Sequence, residues 1–258
     1  MAEHKETVVR TLLVAFLVCV VCSAVVATAA VLLKPRQQIA QENDRNINIL
    51  QIGGLYKPGV PLEEQIGQVT PRVVNLETGK FTTDMTPDQV VDAKRLTKNP
   101  QLSIKLASED DPAKLMRREN YGVVYLAEKD GQLDRVILPI RGYGLWSTLW
   151  GFLALEADLD TIAGLGYYQH GETPGLGGEV DNPRWKEQWS GKKLYDGENL
   201  AIRVIKGKVD PASAKAEHEV DGLSGATLTS KGVDTMLHFW LSEQGYGKFL
   251  ENLKAGEA

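Results

Sequence analysis

Cysteine is almost missing from this 258-residue chain: there are two, Cys19 and Cys22, and both fall within one apolar run near the N-terminus. The rest of the chain therefore holds no thiol for a disulfide framework or a cysteine metal site, and a cysteine-free body suits an oxidising compartment. The C-x-x-C spacing points to redox or metal chemistry in a soluble protein. Inside an apolar run it reads more simply as two small residues for helix packing, so no metal site is expected. Excess positive charge is lacking too: 29 Lys and Arg stand against 34 Asp and Glu, for a net charge of −5. With no basic stripe interleaved with aromatics, a nucleic-acid surface is excluded. No G-x-G-x-x-G lies between a strand and a helix, and no G-x-x-x-x-G-K-[ST] is present, so neither dinucleotide binding nor nucleotide hydrolysis is expected. Internal repeats and low-complexity stretches are absent as well.

What is present begins with residues 11–33, a run of 23 without one charge. At the helical rise it covers roughly 34 Å, enough for a bilayer core. Ala27-Thr28-Ala29 loosely fits a signal-peptide cleavage site. The apolar part of a signal peptide usually runs about 7–15 residues, so the greater length here favours an uncleaved single-pass helix. The span has no ionisable residue besides its cysteines, which would leave any ion path to another protein of the assembly. Lys5 and Arg10 precede it, while Lys34, Arg36 and Arg45 follow, so the positive-inside count leaves the orientation open. The organisation read from this is a short N-terminus (1–10), a transmembrane helix (11–33) and one sizeable domain (34–258).

The body reads as α+β. A polar helix is expected over 38–50, before the Gly53-Gly54 and Lys57-Pro58-Gly59 breaks, and Thr86-Pro87-Asp88-Gln89 starts another that should run to about Thr97. Strands are expected at 121–127, 135–141, 151–157 and 162–170, with Asp130-Gly131 in a hairpin turn. Asn182-Pro183 opens a helix through Trp185 and Trp189, and 201–205 reads as a further strand. Neighbouring strands without long crossovers predict an antiparallel sheet with helices packed on it.

Near the C-terminal end lies Asp221-Gly222-Leu223-Ser224-Gly225-Ala226-Thr227, followed by Val233, Met236, Leu237, Trp240 and Leu241 on one helical face. A helix is predicted from about Ser230. A helix start offers unpaired N–H groups and the positive end of the macrodipole, a natural seat for a phosphate. Ser224, Thr227, Thr229 and Ser230 add hydroxyls, and Gly225 and Ala226 let the backbone approach closely. The plainer reading is that Thr229 or Ser230 caps a helix after a glycine turn. The segment D-x-x-[ST]-G-A-T resembles the acceptor motif of proteins that carry FMN joined through its phosphate to the final threonine. The resemblance implies that Thr227 is the acceptor, loaded by a separate flavin transferase; that Asp221, nearby, orients or deprotonates the hydroxyl is a hypothesis from its position. Spacing alone leaves Thr229 open as a second acceptor.

Nine of the 25 glycines fall between Gly142 and Gly178, and two segments stand out there, 142–151 and 170–178. Such density serves close backbone approach more than regular structure. For a flat flavin ring, Trp146 and Leu176 can supply faces, and Ser147, Thr173 and the N–H groups of Gly175 and Gly177 can supply donors that favour the reduced ring. The alternatives are ordinary packing of Trp146 and Trp150, and glycine loops that are only structural turns. Glu172-Thr-Pro-Gly-Leu-Gly177 also resembles the loop such domains present to the ring, which places Glu172 in the cofactor-binding set. His170, beside it, is a weak candidate because one histidine without a partner pattern is more often structural. His4, His218 and His238 carry no signal.

Over essentially its whole length the chain resembles the covalent-FMN family formed by the C subunits of the sodium-translocating NADH:quinone reductases. The flavoprotein subunit of the related ferredoxin-linked ion-translocating complex shares the motifs and topology. The resemblance implies a bacterial inner-membrane protein with a periplasmic FMN-binding domain that relays single electrons through covalent FMN. Its partners would be the other membrane, flavin and iron–sulfur subunits of one complex, membrane lipid and the flavin transferase. NADH oxidation, ubiquinone reduction and sodium transport would then fall to other subunits, and no catalytic residue is expected here. Two further readings are a module that holds FMN non-covalently and a purely structural assembly protein.

Overall fold

The computed structural model describes residues 7–258, so His4, Lys5 and most of the predicted N-terminal stretch lie outside the described residues. The chain divides into two units, residues 1–45 and 46–258.

The described part of the first unit is helical. It belongs to the helix Val8–Ile52, which contains Pro35 and holds the one stretch among the described residues long and apolar enough to cross a membrane, with a mean hydropathy of 2.8 and none of it buried. The separate helix predicted over 38–50 is thus the continuation of the apolar one. Proline normally breaks a helix interior, but strong helix formers follow it here (Arg36, Gln37, Gln38, Ala40, Gln41 and Glu42) and carry the helix on. The helix ends where Gly54, at φ +69, closes a Schellman motif: Leu55 N–H donates to the Leu50 carbonyl at 2.7 Å and Gly54 N–H to that of Gln51 at 3.1 Å.

The second unit is built on a six-stranded antiparallel sheet in the order Lys80–Phe81, Val69–Asn75, Tyr121–Lys129, Gln132–Tyr143, Thr148–Glu156, Ile162–Gln169. All four predicted strands are there. Asp130 and Gly131 sit at φ 54 and 76, the pair of positive values a type I′ hairpin requires. Alternate residues bury on opposite faces. Val124, Leu126, Val136, Leu138 and Ile140 pack with Val233, Met236, Leu237 and Trp240 of the C-terminal helix Thr227–Trp240. Val123, Tyr125, Ile137 and Phe152 pack instead with Ile49, Leu50, Val90 and Leu96. Covering both faces explains why these strands read as nearly continuous apolar runs.

Four local features differ from the sequence reading. Val69–Asn75 is a strand despite Pro71, because only Val74 and Asn75 have a further neighbour, Lys80–Phe81, leaving the rest of its outer side as an edge. The helix predicted over 86–97 is two, Pro87–Val90 and Ala93–Leu96. The Thr86/Gln89 capping box forms as expected, but Asp92 interrupts the helix and caps a second one by accepting from Arg95 N–H at 3.2 Å. The predicted 201–205 strand shrinks to Arg203–Val204, paired in parallel with Glu219–Val220 outside the main sheet. The helix opened by Asn182 and Pro183 spans Pro183–Glu187, with Trp189 just beyond it.

Candidate functional site

The helix Thr227–Trp240 starts three residues before the predicted Ser230. Ser230 does not cap it from outside; its hydroxyl back-bonds to the Ala226 carbonyl at 3.1 Å and accepts Leu223 N–H at 2.8 Å, which fixes the preceding loop from within the first turn. The first helical rung is Ser230 N–H to the Ala226 carbonyl, and no side chain caps the helix. The N–H groups of Thr227, Leu228 and Thr229 therefore precede the ladder at the positive end of the dipole. Gly225, at φ +73, turns the chain into this start, a conformation that glycine adopts without strain.

The two candidate acceptors in this turn differ sharply. Thr227 is exposed, as are Ser224 and Leu228. Thr229 is fully buried, and its hydroxyl donates to Glu172 Oε2 at 2.7 Å. One threonine is exposed, and the hydroxyl of the other is consumed.

Glu172, itself only 5% exposed, ties the site together. Its Oε1 receives the backbone N–H groups of Leu145, Trp146 and Ser147 at 3.1, 3.0 and 3.1 Å. Burial pushes its carboxyl up, but the Thr229 hydroxyl and these three N–H donors outweigh that, and the net effect holds it below the ordinary value. It is therefore a carboxylate at neutral pH. Gly177 must be glycine for this contact: a Cβ there would lie 2.6 Å from both Glu172 Oε2 and Thr229 Oγ1. The two glycine-rich segments and the helix Thr227–Trp240 meet at this one carboxylate.

The remaining candidates separate into outward and inward groups. Trp146 is 66% exposed, and Leu176, 44% exposed, lies over Gly225, its Cδ2 3.0 Å from where a Cβ would stand. Thr173 and Gly175 are exposed on a Pro174-Gly175 turn closed by Leu176 N–H to the Thr173 carbonyl at 3.1 Å. Ser147 is half-buried, its Oγ accepting Gly171 N–H at 2.6 Å. Asp221 is half-buried; its Oδ1 accepts Val209 N–H at 2.8 Å and its carbonyl accepts Trp185 Nε1–H at 2.8 Å, with no hydrogen bond to Thr227 among the described residues. Ala226 is buried at the helix start. His170 uses both ring nitrogens, Nδ1 accepting Glu172 N–H at 3.2 Å and Nε2 meeting Asp181 Oδ2 at 2.7 Å, which assigns its proton to Nε2. Trp150 lies between Lys94 and Arg141, whose cationic groups are 4.7 and 5.5 Å from its ring centroid, so it serves packing. No group of three potential metal ligands exists among the described residues.

Sequence reasoning passed over Leu228, 59% exposed, and Leu145, 36% exposed. For Leu228 the signal was available, since it follows Thr227 directly and falls outside the buried stripe of its helix. An uncapped helix start beside an exposed hydroxyl, with exposed tryptophan and leucine side chains close by, is the donor set that a phosphate and a flat ring require.

A family model described as an FMN-binding domain matches residues 144–242, which takes in nearly all of both glycine-rich segments and the helix Thr227–Trp240. The chain is 55% identical to the C subunit of the Na(+)-translocating NADH-quinone reductase of Pseudomonas aeruginosa, over 99% of each chain. It is 43% identical to the protein of that name from Vibrio anguillarum, again over 99% of each. Among solved structures, NqrC of Shewanella oneidensis superimposes with a TM-score of 0.75 at 35% identity, covering 84% of this chain and 99% of that one. The C subunit from Parabacteroides distasonis does so with a TM-score of 0.64 at 30% identity, covering 84% and 96%.

Proposed function

The chain belongs to the family of C subunits of the Na(+)-translocating NADH-quinone reductases, and on that premise we propose that its FMN is esterified through phosphate to Thr227. It is a flavoprotein subunit of that translocase, anchored by one apolar helix, with the other subunits of the complex as its partners. The observation that carries the attachment site is the contrast within one helical turn: Thr227 is an exposed residue while the Thr229 hydroxyl is buried on Glu172.

FMN, when bound, supplies the one-electron redox chemistry; the chain supplies attachment, orientation and shielding. The N–H groups at the start of the helix Thr227–Trp240 would hold the phosphate, and Trp146, Leu176 and Leu228 would flank the ring. Thr173 and the N–H of Gly175, exposed on their turn, would supply donors to its polar edge, with Gly177 beneath them. Ser147 and Glu172 would act from behind by fixing the loop that carries Trp146. Asp221 would shape the acceptor loop through Val209, and Ser224, Gly225 and Ala226 would complete the surface a flavin transferase reads.

Residues 1–10 are assigned to the cytoplasm, 11–33 to the membrane and 34–258 to the periplasm, where a lost flavin would be hard to replace and a covalent link keeps it. No dinucleotide fingerprint is present, so NADH oxidation is assigned to another subunit. The relatives' names favour the quinone reductase over the ferredoxin-linked complex.

The test is co-production with a flavin transferase followed by denaturation in acid. Yellow colour and flavin fluorescence should stay with the unfolded wild-type chain and be absent from Thr227→Ala; release of flavin from the wild type would overturn the covalent reading. For the orientation, alkaline phosphatase fused after Ala258 should be active, and an inactive fusion at normal expression would reverse it.

A further inference from the structure

Glu172 is an unusual residue to bury. Three successive backbone N–H groups, from Leu145, Trp146 and Ser147, converge on its Oε1, and the buried Thr229 hydroxyl donates to its Oε2. Successive N–H groups turned toward one point form an anion-binding concavity, and here the anion is a side chain of the same chain. Four donors on one carboxylate offset the cost of taking it out of water.

The segments it joins have little else in common. Residues 145–147 form the bend between the strands Gln132–Tyr143 and Thr148–Glu156, and their N–H groups lie outside the sheet ladder. Thr229 lies in the first turn of the acceptor helix, and Gly177 packs directly against the Glu172–Thr229 hydrogen bond. His170 Nδ1 accepts the Glu172 N–H and so holds the residue from its backbone side. Outward from this point stand Trp146 and Leu176, both exposed.

We propose that Glu172 is a positioning residue, its carboxylate fixing the Trp146 bend, the Gly175–Gly177 turn and the acceptor helix in one arrangement as the seat of the flavin ring. The proposal rests on FMN being carried at Thr227, but it concerns how the ring is held and leaves attachment itself to the acceptor loop. Glu172 touches no reacting atom. It acts through Trp146 and Thr229.

The experiment uses the full chain loaded with FMN, as wild type, Glu172→Gln, Glu172→Ala and Trp146→Ala. Amide hydrogen exchange at residues 145–147 is the first readout, because those protons have Glu172 as their acceptor. Glu172→Gln keeps the shape but loses the charge, and protection at these amides should fall about 10-fold; in Glu172→Ala it should fall about 100-fold. The amides of Tyr121–Lys129 should stay protected, which shows that the sheet has folded. The visible circular dichroism of the bound flavin is the second readout, and in both Glu172 variants it should move from the wild-type spectrum toward that of Trp146→Ala. Unchanged protection at 145–147, or lost protection with an unchanged flavin spectrum, would overturn the proposal. Mass mapping of the same samples keeps the two readings apart: flavin missing from Thr227 in the wild type sinks the attachment reading, while the exchange result still judges Glu172.

Discussion

The central sheet and the proposed flavin seat, at the ends of two of its inner strands, are built in opposite ways. The sheet buries apolar residues on both faces, so its order is spread over many interchangeable contacts, with Val136, Leu138 and Ile140 on one side and Val123, Ile137 and Phe152 on the other. The seat joins three segments far apart in sequence through one carboxylate, one hydroxyl and one glycine that cannot bear a Cβ. The first arrangement tolerates small changes and gives stability. The second tolerates few, because a buried polar network loses its value when one member is left unpaired. Damage to the seat should therefore change the flavin while leaving the fold, and damage to the sheet should do the reverse.

Substitutions in each region test that separation. The largest expected effect is complete: Thr227→Ala should carry no covalent flavin while its thermal unfolding shifts by no more than about 0.5 kcal/mol, since the side chain is exposed. A large loss of stability in that variant would break the contrast. Next is Leu138→Ala, in the fully buried sheet core, expected to cost about 2–5 kcal/mol by denaturant titration while folded protein still accepts flavin at Thr227. Smaller, and confined to the seat, is Gly177→Ala, whose new methyl collides with Glu172 and Thr229; a cost of about 1–3 kcal/mol and a changed flavin spectrum are expected together. The smallest is Asp92→Ala, which removes a helix cap remote in sequence from the seat and should cost about 0.5–2 kcal/mol in thermal unfolding, with the flavin spectrum unaltered.

Acid sharpens the same contrast. The Glu172 carboxyl is held below its ordinary value, so it contributes stability that is fully present above the unfolded-state value and lost as pH falls through the lower folded value. Amides 145–147 should accordingly keep their protection from neutrality down to the ordinary carboxyl range and lose it as pH falls further. In Glu172→Gln this pH dependence should be absent.

The two regions also differed in how far the sequence disclosed them. Short runs rich in β-branched and aromatic residues and the Asp130-Gly131 turn displayed the four central strands, and an uncharged run displayed the anchor, because each signal is local in the chain. The strand Val69–Asn75 was hidden by Pro71, which signals against a strand except at an edge, and edge position is a property of the folded sheet. The acceptor motif was legible, yet the helix start was misplaced by three residues because Ser230 resembles a cap and in fact bonds backward to Ala226. The meeting of residues 145–147, 172, 177 and 229 had no sequence signature. Glu172 stood in a motif that suggested contact with the ring, and only the fold shows its carboxylate turned inward, to Thr229 and the bend.

Esterification of FMN to the exposed hydroxyl of the acceptor turn can be read directly by mass. Trypsin cleavage after Lys215 and Lys231 yields the peptide 216–231, which contains both Thr227 and Thr229. Fragmentation of that peptide from protein matured with a flavin transferase should place the mass of FMN minus water on Thr227; finding it on Thr229, or finding the peptide unmodified, would contradict the assignment.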